Sequence, residues 1–396
     1  MKNFKKLSAL VLAGAMVFSL AACGGGNAET PAPETTTPTE SGAPAETTPA
    51  TDMKVAMITD YGDITDQSFN QTTYEACNEF CTANSVEFTY YKPAGDSTAE
   101  RVAMVDASVA EGYNVIVMPG YAFAETIKET ADMYPDVTFI ALDVGEGDLG
   151  ADYTVSSNVY CAVYQEELCG YMAGYAAVKL GYTHLGFLGG MAVPAVQRYG
   201  YGFIQGADAA AVELGNGADV TVEYVYGNQF FGDADITAYM DNWYQTQGVE
   251  VVFACGGGIY TSAAEAAAKV GGKVIGVDVD QAGIIDAYGE GMTVTSAMKG
   301  LANTTKHLLQ ETMDGNFANY GGQIETLGLV SGDDPTANYV QLPMESTQWS
   351  DSFTQDNYKA LVAGMFDGTI TVSNDVSVAP ADNATAITVN AYDNIK

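Results

Sequence analysis

The chain has 396 residues, enough for two or three domains, and sets 15 Lys and Arg against 50 Asp and Glu for a formal net charge of −35. That balance excludes nucleic acid as a partner, because phosphate contacts need clustered cations. It keeps an exported protein soluble and off anionic lipid, and says little about fold.

Lys2, Lys5 and Lys6 form a basic start, residues 7–20 an apolar stretch, and Leu20-Ala21-Ala22-Cys23 a small-residue close. This pattern predicts a secretory signal over 1–22, too short for a membrane span. Leu-Ala-Ala-Cys resembles the bacterial lipobox, which implies cleavage before Cys23 and a lipid on its thiol. An acyl chain holds a protein at the membrane surface without a spanning helix. From Cys23 to residue 52 the chain opens with Gly24-Gly25-Gly26 and is then mostly Thr, Pro, Ala and Glu, and its only charges are acidic. It has too little large apolar surface to offset chain entropy, so a disordered, extended tether is expected.

From Lys54 strands and helices alternate. Apolar runs predict strands over 54–59, 86–91, 115–118, 137–142 and 153–157, then a long helix over 160–180. Further strands are predicted over 184–189, 220–226, 249–254, 273–279 and 292–296, with Ala-rich helices over 195–214 and 261–270. Alternation of this kind predicts an α/β protein with parallel sheets covered on both faces. Two similar lobes are expected: 53–158 with about 283–320, and 159–282 with about 321–375, leaving 376–396 as a tail. Two Rossmann-like lobes serve dehydrogenases, other enzymes and hinged binding proteins alike.

Catalytic motifs are missing: the chain has no Walker A loop, no Gly-x-Ser-x-Gly and no His-Glu-x-x-His. Gly186 to Gly190 lacks the dinucleotide spacing. His184 and His307 are the only histidines, and the cysteines other than Cys23 form no zinc pattern. No cofactor or metal is expected. Cys77 and Cys81 share a helix face at a spacing that would strain a disulfide, which favours buried free thiols.

The polar residues gather instead at predicted strand ends, where open α/β sheets bind ligands. The first strand runs into Asp60, Asp66, Ser68, Phe69 and Asn70; Asp66 or Ser68 is either a ligand contact or a helix cap. Asp143 and Asp278 end two other strands, and a carboxylate there suits a vicinal diol, whose hydroxyls donate to its two oxygens. Gly256-Gly257-Gly258 either admits a ligand to the backbone or makes a tight turn. Phe230 and Phe231 offer a stacking face or a hydrophobic plug. Lys299 is a ligand donor or one end of an ion pair.

Several stretches together resemble the basic membrane protein family of ABC-transporter substrate-binding lipoproteins, of the purine nucleoside receptor type. They are Thr59-Asp60, Asp66-Gln67-Ser68-Phe69-Asn70-Gln71, Gly200-Tyr201-Gly202-Phe203 with Gly206-Ala207, Gly256-Gly257-Gly258, Val274-Ile275-Gly276-Val277-Asp278-Val279-Asp280-Gln281 and Ser296-Ala297-Met298-Lys299. The resemblance implies a type I periplasmic-binding-protein fold, two lobes hinged around a ligand cleft. It implies that Phe69 stacks on one face of a purine and Phe230 or Phe231 on the other. Asp143 and Gly256–Gly258 would line the base pocket, Asp278 and Lys299 would hold ribose hydroxyls, and Asp60 would add a polar contact. Ser68 stands where some members have Asn. The implied partners are a purine nucleoside and the permease and ATPase of an importer, with the membrane reached through Cys23. Another aromatic ligand such as riboflavin, or an exported nucleoside hydrolase, is the alternative.

Overall fold

The structure, a computed structural model, describes residues 52–396; the predicted signal, Cys23 and the tether up to residue 51 lie outside the described residues. The chain opens with β1 (Lys54–Ile58), α1 (Phe69–Asn84), β2 (Glu87–Tyr91), α2 (Thr98–Ala110) and β3 (Val115–Pro119). Next come α3 (Ala124–Thr130), β4 (Thr138–Leu142), α4 (Glu146–Leu149), β5 (Val159–Tyr164), α5 (Glu166–Lys179) and β6 (His184–Gly189). Then follow α6 (Pro194–Leu214), β7 (Thr221–Tyr226), α7 (Ala234–Asn242), β8 (Val251–Cys255), α8 (Tyr260–Ala268) and β9 (Lys273–Asp278). The remainder is α9 (Ala282–Ile285), β10 (Thr293–Lys299), α10 (Leu301–Met313), β11 (Gln323–Leu327), β12 (Val340–Gln341), α11 (Gln355–Phe366) and β13 (Thr388–Ala391).

The strands form two sheets, ordered β2-β1-β3-β4-β5-β11 and β13-β7-β6-β8-β9-β10-β12. Each is doubly wound about its first strand, so the chain direction switches beside β1 and β6, where such sheets open a crevice. Among the strands of the described residues, only β12 runs antiparallel to its neighbour. Central strands such as Val115–Pro119 and Val251–Cys255 are buried along their whole length. Their continuous Val, Ile and Phe content suits a sheet with helices on both faces.

The chain passes between the sheets three times: at Gln165 between β5 and α5, at Gly300 between β10 and α10, and over 328–339. These crossings are bonded together. Gln165 N donates to Leu327 O at 3.0 Å, Gly300 N to Tyr339 O at 2.7 Å, and Tyr339 N to Gly328 O at 3.0 Å. They form the hinge.

The crossings also redraw the expected lobes. β5 and β11 belong to the first sheet, whereas β10 belongs to the second. The strand expected at 153–157 is β5 at Val159–Tyr164, and the helix expected from residue 160 begins at Glu166. Both elements are largely buried, so they merge into one apolar run with no readable period. The expected tail, 376–396, contains β13, which extends the second sheet beside β7.

Helices α5 and α6 cross in backbone contact. A Cβ on Gly170 would lie 2.1 Å from Tyr199 O, and one on Gly174 would lie 2.0 Å from Phe203 O. Reciprocally, a Cβ on Gly202 would lie 2.0 Å from Glu167 O, and one on Gly206 would lie 2.0 Å from Tyr171 O. Paired small residues four apart let two helices touch along one line. The crossing brings Glu166, at the start of α5, against Arg198 near the start of α6. Cys77, Cys81, Cys161, Cys169 and Cys255 are all buried free thiols.

Candidate functional site

A cavity of about 1010 Å³ opens between the carboxyl ends of the two sheets. Its walls include Asp60, Phe69, Asn70 and Asp143 from the first lobe, and Phe230, Phe231, Gly256–Gly258, Asp278 and Lys299 from the second. Ser68 is not among them: it is fully buried and its hydroxyl is spent on Asp278.

The two lobes present matching devices. Asp143 ends β4 with φ 58°, and Asp278 ends β9 with φ 65°. These strands hold equivalent places in the two sheets. A left-handed backbone at a non-glycine residue costs about 1–2 kcal/mol, and such conformations cluster at ligand sites. Here each turns a carboxylate into the cleft at the point where its strand stops.

Lys299, at the end of β10, sits between these acids. Its Nζ lies 2.7 Å from Asp143 Oδ2, 3.2 Å from Glu166 Oε1 and 4.0 Å from Asp278 Oδ1. It also lies 5.2 Å from the Phe69 ring centre, 5.4 Å from Tyr164 and 5.5 Å from Tyr199. Burial disfavours the ammonium, but the three carboxylates more than offset it and hold its pKa above the ordinary lysine value. Burial raises Asp143 to about 6, with Lys299 opposing and Glu166 reinforcing the shift. It raises Asp278 too, against Lys299 and the Ser68 hydroxyl. Arg198 Nε meets Glu166 Oε2 at 2.6 Å, so Glu166 ties both cleft cations to the hinge.

Two wall acceptors have no donor. Asn70 directs its Nδ2 to Asp66 at 3.2 Å, leaving its buried Oδ1 free, and Asp143 Oδ1 is likewise unpartnered. A buried acceptor without a donor is costly, so these two call for N–H or O–H groups from a ligand. Asp60 differs. Its Oδ1 accepts from Tyr61 N at 2.6 Å and Gly62 N at 2.7 Å, so much of its role is to fold its own loop. Asp66 is a cap, accepting from the backbone N–H of Ser68, Asn70 and Gln71 at the start of α1.

The three glycines seat Phe230. A Cβ on Gly256 (φ 141°) would lie 2.8 Å from Phe230 Cδ1, and one on Gly190 would lie 2.3 Å from it. Gly258 N also donates to Phe230 O at 2.9 Å. The ring therefore lies against bare backbone, with Tyr61 of the first lobe 6.4 Å away, tilted by 34°. Phe231 is 57% exposed at the mouth.

Tyr61, Glu166 and Arg198 complete the site without having been expected. Tyr61 sits in a loop beside Asp60, and Glu166 looks like an ordinary first-turn acid. The readable signal at Arg198 was its rarity as a cation in so acidic a chain.

Residues 53–334 match the family model described as ABC transporter substrate-binding protein PnrA-like. The chain is 27% identical over 300 residues to the "ABC transporter nucleoside-binding protein BmpA" of Lactococcus lactis subsp. cremoris, covering 71% of this chain and 80% of that protein. It is 25% identical over 287 residues to "Basic membrane protein B" of Borreliella afzelii, covering 71% and 79%. Among solved structures, a solute-binding protein of Aeropyrum pernix K1 superposes with a TM-score of 0.61 at 21% identity, over 81% of this chain and 87% of that one. A solute-binding protein of Conexibacter woesei gives 0.62 at 22%, over 81% and 99%. These two likenesses establish the two-lobed solute-binding fold.

Proposed function

The chain belongs to the PnrA-like family of ABC transporter substrate-binding proteins, and from that premise we propose that it captures a purine nucleoside between its lobes and delivers it to an importer. The carrying observation is the pairing of flat aromatic walls with unpartnered acceptors. Phe230 on its glycine seat, Tyr61 and Phe69 supply the stacking faces. Asp143 and Asn70 supply the unpartnered acceptors for the N–H and O–H groups that a nucleoside carries, with the Asp278 carboxylate beside them. Three carboxylates, Asp143, Glu166 and Asp278, around Lys299 and Arg198 make the floor hostile to a phosphate, which favours the nucleoside over the nucleotide. The Lactococcus relative bears a nucleoside-binding name. Anchoring through a lipid on Cys23, and no turnover of the bound ligand, complete the reading.

Calorimetry with inosine, guanosine, adenosine and riboflavin tests it. At least one nucleoside should bind and be recovered unchanged. Phe69→Ala and Phe230→Ala should each weaken it by about 1–3 kcal/mol, the range of one stacked base. Riboflavin binding with all three nucleosides silent overturns the proposal. Cys23→Ser should release the protein from the membrane fraction.

A further inference from the structure

The chain continues past the family match, which ends at residue 334, and its last segment returns to the loop that bears Phe230 and Phe231. That segment starts at a buried anchor, Asp208 on α6. Asp208 Oδ1 accepts from the backbone N–H of Thr385, Ala386 and Ile387, and Oδ2 accepts from the Thr385 hydroxyl. β13 then pairs in parallel with β7 from Thr388 to Ala391. Pairing persists beyond the strand: Tyr392 N donates to Tyr224 O and Ile395 N to Tyr226 O, each at 2.9 Å. Tyr392 Oη also donates to Glu223 Oε2 at 2.7 Å.

β7 ends at Tyr226 and leads directly into the loop that carries Phe230 and Phe231. At the far end of that loop stands Asp233, the N-cap of α7, whose Oδ1 accepts from Asp235 N and Ile236 N at 3.0 Å. Its Oδ2 accepts from Gln229 Nε2 at 2.8 Å, and the same Nε2 donates to Phe231 O at 2.9 Å. Lys396 Nζ forms an ion pair with Asp233 Oδ2 and lies 3.5 Å from Asp235 Oδ2. Burial works against charge on Asp233, yet Lys396, the Ile236 N–H and Gln229 hold its pKa down at about 2. The strap thus follows β7 to its end and fastens onto the residue that closes the aromatic loop.

We propose that residues 385–396 are a positioning strap for the second-lobe ligand loop, fixing Phe230 and Phe231 through the Lys396–Asp233–Gln229 chain. Edge strands are covered in many sheets, and a bare cover would stop with β13. This segment runs on past β13 and ends on the N-cap of α7. The effect on ligand affinity rests on the nucleoside reading; the effect on the loop does not.

The test uses the full chain, its Lys396→Glu variant, a variant lacking residues 393–396, and Lys306→Ala, which breaks a first-lobe ion pair, as the control. Amide exchange in the ligand-free protein is read over 228–237 and over β7, and inosine affinity is read by calorimetry. Both strap variants should speed exchange at 228–233 by about threefold to tenfold while β7 stays protected, the signature of local opening. Inosine affinity should fall by about twofold to tenfold, and less than additively with Phe230→Ala. Lys306→Ala should change neither. Unchanged exchange at 228–233 in Lys396→Glu, or faster exchange spread equally through the second lobe, overturns the proposal. If the unmodified protein ignores inosine, affinity is read with guanosine or adenosine instead; if all three are silent, the nucleoside reading fails and the exchange data alone decide the strap.

Discussion

Ser68 Oγ, at the threshold of α1 in the first lobe, donates a 2.6 Å hydrogen bond to Asp278 Oδ2 at the end of β9 in the second. Beside it, Gln281 Nε2 reaches across to Gln67 O at 3.0 Å. Asp278 thus takes its donors from both lobes, because Tyr199 of α6 lies 3.5 Å from its other oxygen. The carboxylate is held where the two lobes meet, by donors from each.

Ser68→Ala should therefore act at a distance from any ligand atom. A hydrogen bond to a buried charge contributes about 1.5–3 kcal/mol, and ligand affinity should fall by that order. Small-angle scattering should show the ligand-free variant more open than the unmodified protein. Equal radii and equal affinities would remove Ser68 from closure.

Stability should rise as the solution becomes mildly acidic. Burial lifts Asp143 from an ordinary value of 3.8 to about 6, and burial followed by Glu166 lifts Glu167 from 4.5 to about 7. A carboxyl whose pKa is higher in the folded state binds more protons there than in the unfolded chain. Its contribution therefore grows as pH falls from about 7 to about 4. Below that window, carboxylates held low in the folded state, Asp233 among them, take up protons and stability is lost. Calorimetric Tm should peak near pH 5, about 2–4 °C above its value at pH 8. Glu167→Gln should flatten the upper part of the rise, and a parallel curve for that variant would refute the assignment.

Lys299→Met should strand Asp143 and Asp278 with no cation beside them and leave Glu166 with Arg198 alone. Removing one partner of a buried ionic group costs about 3–5 kcal/mol. Urea unfolding at pH 7.5 should show that loss, and at pH 5, where Asp143 takes a proton, a smaller one. A loss independent of pH would mean that the lysine acts through packing alone.

Gly202→Ala should cost at least about 1–3 kcal/mol, since overpacking against rigid backbone has no side chain to yield. Because the crossing of α5 and α6 sets Arg198 on Glu166, binding should weaken together with the unfolding midpoint. Ala at Gly215, where nothing lies within 4 Å of a Cβ, should leave the α5–α6 crossing and the cleft untouched.

Much of the fold was legible because its strands are short apolar runs closed by acids or glycines, as at Leu142-Asp143 and Val277-Asp278. Legibility failed where burial is complete on every side. Val159 to Tyr164 and α5 read as one helix because neither has a polar face to mark a period. Sheet membership was not readable at all for β10 and β11, since a strand's composition does not say which sheet it joins. In the site, residue types at strand ends pointed to Asp143, Asp278 and Lys299, and all three stand on the cavity wall. Ser68 was harder: a hydroxyl committed to a partner 210 positions away has the same sequence signature as a helix cap. Gly256–Gly258 read either as ligand access to the backbone or as a tight turn; they line the cavity, and the Phe230 ring lies against Gly256, a contact the sequence did not show.

The three crossings at the hinge have a consequence for how this chain must be made. The first sheet needs β11 from residues 323–327, and the second needs β13 from residues 388–391. During synthesis neither lobe can close its sheet until most of the polypeptide has emerged, and both wait on pairings between distant segments, which form slowly. No single cut separates the lobes into autonomous halves. The two jaws therefore mature together, each completed by a segment from the far end of the chain.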